Sequence, residues 1–239
     1  MPDVVGRPLE RVDGRAKVTG AATYTADHHF PDVAHAVVVT SAIAHGRVES
    51  VDAGAAEAVP GVLAVLTHEN APRVRGRLER DADGNHAIHA LQDAAVRYAN
   101  QPIAVVVADS LEQAREGARR LAFGYAETPP QVGLYPARGR SFRPKHVVEQ
   151  KADTARGSVK TSLEGSALRL ERVYTTPLQT HNPMEPHATV AQWEGARRLI
   201  LHDSTQGLFD CRARVARIFG LRKEGVRVVS PFLGGGFGS

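Results

Sequence analysis

Cysteine is almost absent from the 239-residue sequence, which contains only Cys211. One cysteine cannot form an internal disulfide, and it cannot supply the set of thiolates, usually about four, that holds an iron–sulfur cluster. Any iron–sulfur cluster associated with this chain must therefore lie in a partner chain.

Long apolar runs and blocks of one charge sign are also missing. No stretch approaches the roughly 20 apolar residues that span a bilayer, and residues 1–13 lack the apolar centre of a secretory signal. The net charge is +4, without the clustered basic residues of a nucleic-acid-binding face. We therefore expect a cytoplasmic protein without a membrane span or a nucleic-acid partner; export bound to a signal-bearing partner is the alternative.

The hydrophobic content, 42% of the residues, is enough to form a core. The clearest secondary-structure element in the sequence is the apolar run at residues 103–108, which is typical of a strand buried on both faces. Ser110 and Gln113 form a capping-box pattern that begins a helix after this strand, and Gly124 is predicted to end that helix. The predicted core-facing side of the helix carries Leu111, Ala114, Ala118 and Leu121.

Further strands and one more helix are predicted on both sides of a proline- and glycine-rich linker at residues 131–160. The strands lie at residues 34–40, 61–66, 167–174, 187–193, 198–202 and 226–229. Glu194-Gly195 predicts a hairpin turn between two of these strands. A helix over residues 208–219 ends at Gly220. This mixture of elements is typical of an α/β or an α+β domain, and we predict the α+β fold class.

The glycine-rich run at residues 234–238 follows an apolar strand and the sequence Pro231-Phe232-Leu233. Glycines in such a place let the backbone turn sharply and aim several N–H groups at an anion or a metal-bound oxygen. A flexible tail is the alternative interpretation, which Phe237 and the apolar strand disfavour. A dinucleotide-binding loop or a P-loop needs a helix directly after the glycines, and the P-loop also needs a lysine; neither is present.

Three histidines and one glutamate in the second half are candidates for other chemistry. His181, His187 and His202 could suggest a zinc site, but their spacing matches no metal-finger interval, so we interpret them as surface or core residues. Glu185 could act as a catalytic base. We interpret it instead as a structural carboxylate at a tight turn, because nothing in the sequence gives it a partner.

The segment Ser230-Pro231-Phe232-Leu233-Gly234-Gly235-Gly236-Phe237-Gly238-Ser239 closely resembles the glycine-rich cofactor loop in the molybdenum subunit of the xanthine dehydrogenase/aldehyde oxidase family. Other blocks resemble that family in the same order and spacing, so the resemblance covers almost the whole chain. They are Gly6-Arg7-Pro8, Arg11-Val12-Asp13-Gly14, Lys17-Val18-Thr19-Gly20, Val96-Arg97-Tyr98, Gln101-Pro102-Ile103-Ala104-Val105-Val106-Val107-Ala108, Asn182-Pro183-Met184-Glu185-Pro186-His187-Ala188 and Ser204-Thr205-Gln206.

The resemblance implies an α/β hammerhead domain followed by the incomplete start of a molybdenum-cofactor-binding domain. The expected division is a lead-in segment at residues 1–25, the hammerhead domain at 26–130, the linker at 131–160 and the start of the cofactor domain at 161–239.

The resemblance also implies that Gln206 lies beside the metal of a molybdenum–molybdopterin cofactor, where its carboxamide donates to a metal oxo group. Phe237 and the flanking Gly235, Gly236 and Gly238 would offer backbone N–H groups to the same oxo ligand. Such contacts orient a metal site. We expect neither a catalytic residue nor a protein ligand to the metal in this sequence, because the family's general-base glutamate lies further downstream.

Members of this family hydroxylate aldehydes or N-heterocycles with oxygen derived from water and pass the electrons to iron–sulfur clusters and flavin. The family pattern continues after Ser239, so we expect this chain to be the N-terminal part of the molybdenum subunit and inactive alone. The expected partners are the C-terminal part of that subunit, an iron–sulfur subunit and an FAD subunit. The alternative function is a non-catalytic interaction module that docks to an iron–sulfur or flavin subunit.

Overall fold

A computed structural model describes residues 5–74, 90–147 and 150–238, so Ser239 lies outside the described residues. Its strands are β1 His35–Thr40, β2 Gly46–Asp52, β3 Val62–Thr67, β4 Ala95–Val96, β5 Pro102–Ala108, β6 Ala122–Glu127, β7 His146–Val147, β8 Gln150–Lys151, β9 Thr189–Glu194, β10 Arg198–Asp203 and β11 Val226–Val229. Its α-helices are α1 Gly14–Val18, α2 Gly54–Glu57, α3 Leu111–Arg120, α4 Leu134–Ala137, α5 Val159–Glu164 and α6 Leu208–Phe219. Short 3-10 helices lie at Thr25–Asp27, Arg138–Arg140 and Lys223–Gly225.

The chain divides into two compact units, Pro31–Glu171 and a second unit in which Met1–Phe30 joins Arg172–Ser239. The mixture of helices and strands confirms the predicted α+β class. None of the helices in the described ranges has the length and apolar character needed to cross a bilayer. The finer domain limits given above stay a prediction.

Strand β5 is the centre of the unit Pro31–Glu171, which contains two antiparallel three-stranded sheets in the orders β1-β5-β3 and β4-β2-β6. Val106 of β5 is fully buried and packs with Ala56 and Val65. Ile103 of the same strand packs in a different cluster, with Val48 and Val96 of the other sheet. The prediction of a strand buried on both faces is thereby confirmed.

Helix α3 begins where the sequence predicts. The Ser110 hydroxyl accepts the backbone N–H of Gln113 at 3.3 Å and donates to the Gln113 side-chain oxygen at 2.9 Å. These contacts satisfy one of the N–H groups that the first turn of a helix leaves without an intrahelical partner.

Two elements differ from the prediction. Helix α3 ends at Arg120 rather than at Gly124, because the residues that follow form β6 and gain a hydrogen-bonded ladder with β2. Residues 167–174, predicted as a strand, form neither strand nor helix, and Leu168 and Val173 are 91% and 88% exposed. A strand needs a neighbour to satisfy its backbone groups, and no strand within the described residues pairs with this segment.

The second unit is built on the sheet β11-β10-β9. Strands β9 and β10 form the predicted hairpin, whose turn starts at Gly195 in the left-handed region with φ +66°. Helix α6 connects β10 to β11, which run parallel, and ends at Gly220 with φ +65° as predicted. Leu199, Leu201 and Val226 of this sheet are buried.

The thiol of the only cysteine has low reactivity. Cys211 is half-buried on α6, and its thiol donates to an Asp203 carboxylate oxygen at 3.4 Å. Burial, the negative charge of Asp203 and the hydrogen bond to it raise the pKa of Cys211 to about 11. Because the thiolate is the reactive and metal-binding form, this residue is suited neither to nucleophilic attack nor to metal binding near neutral pH.

Candidate functional site

The predicted site residues meet at one edge of the sheet in the second unit. Strands β10 and β11 run parallel, with Leu199 opposite Val226 and His202 opposite Val229. The chain therefore leaves both strands at the same edge. The segment after β10 carries Gln206, and the segment after β11 carries the glycine loop, which we define as residues 234–238. Ligand sites commonly form at the carboxyl ends of parallel strands.

The backbone of the glycine loop turns through the left-handed region three times, at Gly235 (φ +113°), Phe237 (φ +58°) and Gly238 (φ +104°). The two glycines adopt these angles without a steric penalty, whereas Phe237 carries backbone strain. The Phe237 side chain is 73% exposed, so burial of its ring does not compensate that strain. A strained turn at an exposed position favours a functional loop over a packing element.

Gly236 and Gln206 are in close contact. Gly236 is buried, and a Cβ at this position would overlap the carboxamide end of the Gln206 side chain. The requirement for glycine at 236 is one of space, since its φ lies outside the left-handed region. The structure thus brings Gln206 onto the loop that carries Gly235, Phe237 and Gly238.

The segment before β9 runs along the loop in the opposite direction. The backbone and side chain of Pro183 lie beside Gly235, and the imidazole of His181 lies beside Gly238. Further along, Glu185 lies beside Gly234. The loop is therefore packed between this segment and the segment that carries Gln206.

Glu185 has the partners that the sequence does not reveal. One carboxylate oxygen accepts the Ser204 hydroxyl at 2.7 Å, and the other accepts the backbone N–H of Gly234 at 2.6 Å. The interpretation of Glu185 as a structural carboxylate agrees with these bonds, and its partners lie 19 and 49 positions away, where no sequence pattern indicates them. Its place in the block at residues 182–188, which resembles the family as the loop does, is the one signal that points to a connection with the loop.

The hydrogen-bond donors at this edge of the sheet suit a cofactor that carries its own metal. The Gln206 carboxamide lies against the backbone of the glycine loop, in the space that a Cβ at position 236 would fill. Within the described ranges, no group of three or more histidine, cysteine, aspartate or glutamate side chains could hold a metal ion. The carboxamide and the turned backbone offer hydrogen-bond donors that fit contact with an organic cofactor.

A histidine pair lies near this edge in the same unit. The centre of the His202 ring lies 5.0 Å from that of the His28 ring and 5.1 Å from that of the Phe30 ring. His28 Nε2 and His202 Nδ1 are buried without a hydrogen-bond partner among the described residues. Burial first, and then the positive charges of His28 and Arg227, lower the pKa of His202.

We expect acid to destabilise this unit through His202. Its pKa in the folded protein lies below the ordinary 6.5, so below pH 6.5 the unfolded chain binds more protons. Stability is then lost as the pH falls from 6.5 to the lowered pKa, and the loss stops below it. Melting temperatures between pH 7.5 and 5 test this, with His202→Gln flattening the profile and exposed His187→Gln leaving it as in the parent. An unchanged profile in His202→Gln contradicts the prediction.

Comparison with known proteins agrees with both halves of this description. Residues 19–129 match the family model described as aldehyde oxidase and xanthine dehydrogenase, a/b hammerhead domain. Residues 141–239, which contain the glycine loop and Gln206, match the molybdopterin cofactor-binding domain.

Relatives and solved structures point the same way. The chain is 38% identical to the aldehyde oxidoreductase molybdenum-binding subunit PaoC of Escherichia coli (strain K12), over 98% of this chain and 31% of that protein. It is 31% identical to the xanthine dehydrogenase molybdenum-binding subunit of Escherichia coli O157:H7, over 96% of this chain and 32% of that protein. Quinoline 2-oxidoreductase from Pseudomonas putida 86 superposes with a TM-score of 0.75 at 26% identity, over 96% of this chain and 30% of that one.

The chain spans about a third of the length of these two curated relatives. Its two adjoining matches nevertheless account for most of its own residues. The resemblance carried by the sequence blocks is thereby confirmed: the chain belongs to the aldehyde oxidase and xanthine dehydrogenase family, with a hammerhead domain followed by sequence of the molybdopterin cofactor-binding domain.

Proposed function

We propose that Gln206 and the loop residues Gly235, Gly236, Phe237 and Gly238 contact the molybdenum–molybdopterin cofactor of a hydroxylase. The observation that carries this proposal is the contact between Gln206 and Gly236, which exists only because position 236 has no Cβ. The contact lies within the stretch that matches the molybdopterin cofactor-binding domain.

The residues of this chain orient the cofactor and do not react themselves. The Gln206 carboxamide has N–H groups that can donate to an electronegative atom of the cofactor, and the turned loop supplies backbone N–H groups for the same purpose. Packing of the loop between two segments limits its movement, so these donors keep fixed directions. When bound, the cofactor supplies the two-electron oxidation of a carbon centre with oxygen from water.

Aldehydes and N-heterocycles are the proposed substrate class, because the similar proteins are named for aldehyde, xanthine and quinoline oxidation. The proposed partners are the remaining part of the molybdenum subunit and chains that carry iron–sulfur clusters and FAD. The single cysteine supports the placement of the clusters in another chain.

Substitution of Gln206 tests the proposal. We expect Gln206→Ala, purified with its natural partners from cells that make molybdopterin, to lose roughly 10–100-fold in cofactor content or in aldehyde and N-heterocycle oxidation. Gln192→Ala, which changes an exposed glutamine on β9, is the matched control and keeps both. Molybdenum is measured by mass spectrometry and turnover with an artificial electron acceptor. A complex that contains no cofactor but still binds an iron–sulfur or FAD subunit would favour the interaction-module alternative.

A further inference from the structure

We propose that Glu185 is a positioning residue that holds the glycine loop at a fixed distance from the segment carrying Gln206. The effect of Glu185 on cofactor binding rests on the proposed function, whereas the contact between Glu185 and the loop does not. The Glu185 carboxylate accepts from Ser204 and Gly234, so we expect its effect on the site to pass through the two segments that these residues belong to.

Three hydrogen bonds make this connection. The carboxylate accepts the Ser204 hydroxyl at 2.7 Å with Oε1 and the Gly234 backbone N–H at 2.6 Å with Oε2. The backbone N–H of Glu185 also donates to the Gly234 carbonyl, at 3.4 Å. Hydrogen bonds to an ionised acceptor are short and roughly twice as strong as neutral ones. The Glu185 side chain therefore connects the segment that follows β10 with the segment that follows β11.

The position of these bonds explains why they matter for the site. Ser204 lies two residues before Gln206, and Gly234 lies two residues before Gly236. The Glu185 carboxylate thus bridges the two segments at the same distance along each chain from the contact between Gln206 and Gly236. Ser204 is itself fixed, because its backbone N–H donates to the Ala188 carbonyl at 3.2 Å.

Close approach of the loop to Glu185 also depends on glycine at 234. A Cβ at that position would overlap the Glu185 Cβ, next to its backbone, where rotation of the side chain gives no relief. The loop can therefore bring its N–H to the carboxylate only with glycine here. The sequence thus provides both parts of the connection, a carboxylate with two acceptor oxygens and a position without a side chain.

Amide hydrogen exchange of the loop in the full complex tests this connection. We expect Glu185→Ala to speed exchange of the Gly234 amide about tenfold or more, since a hydrogen bond to a charged group is lost. Glu185→Gln should stay within about threefold of the parent, because its oxygen can accept from Gly234 while its NH2 group donates to the Ser204 oxygen. Glu10→Ala, which removes an exposed glutamate of the same unit, leaves exchange unchanged.

Cofactor content is the second readout, and rescue by glutamine separates positioning from general stability. Molybdenum content falls in Glu185→Ala and recovers in Glu185→Gln if the loop geometry controls binding. Faster exchange without a change in cofactor content supports the connection and speaks against the proposed function. Unchanged exchange in folded Glu185→Ala overturns the connection. If that variant does not fold, Ser204→Ala applies the same test with an expected increase of about threefold, and an unchanged rate overturns the inference.

Discussion

Gly236→Ala is expected to lower cofactor content and turnover roughly 10–100-fold while the melting temperature stays within about 2 °C of the parent. The three atoms nearest to the added methyl group are Cδ, Cγ and Oε1 of Gln206, which belong to a flexible side chain. That end can rotate away at a cost of about one rotamer change, so the fold loses little. The carboxamide, however, leaves the position in which we propose that it contacts the cofactor.

Gly234→Ala is the informative contrast, because the same methyl group two residues earlier is expected to lower the stability of the fold. There the overlap is with the Glu185 Cβ, which cannot move without its backbone. We expect a loss of about 1–3 kcal/mol and a lower melting temperature, as for other overpacked sites. Gly207→Ala is the matched control, since a Cβ there meets its nearest atom, of Asp210, at an ordinary 3.7 Å. A Gly236→Ala protein with full cofactor content would show that Gln206 does not depend on this loop.

The elements that the sequence predicts correctly are those with local signals. Helix α6 has a left-handed glycine at its end, and the β9–β10 hairpin has a glycine at its turn. These patterns act between residues a few positions apart, so they can be recognised without knowledge of the fold.

The elements that the sequence misses depend on distant partners. Gly124 looks like a helix end, but pairing of β6 with β2, some 70 positions away, includes it in a strand. Residues 167–174 alternate like a strand, yet no described strand lies beside them. Glu185 finds its two partners 19 and 49 positions away. No spacing rule links these residues, so only the folded structure shows that they meet.

In the hammerhead domain, the largest expected loss of stability comes from Val106→Ala. We expect the free energy of unfolding to fall by about 2–3 kcal/mol, from lost burial plus the cavity that remains. Val106 is fully buried against Ala56 and Val65, so the deleted methyl groups leave a space in a close-packed core. Val38→Ala, on the neighbouring strand β1 with 54% of the residue exposed, is the control and should cost well under half as much.

Gly117 provides a rescue that a general loss of hydrophobicity would not show. A Cβ at 117 on α3 would lie 2.9 Å from Val106 Cγ1 and 3.1 Å from Val62 Cγ2, so Gly117→Ala alone crowds the core. In the Val106→Ala background one of these contacts is gone, and the methyl group fills part of the cavity. It also removes the cost of about 1 kcal/mol that glycine imposes within a helix. Gly117→Ala should therefore stabilise Val106→Ala by more than it changes the parent, a coupling that urea denaturation of the four proteins measures. If the two substitutions are simply additive, close packing of α3 on β5 does not determine the cost of the cavity.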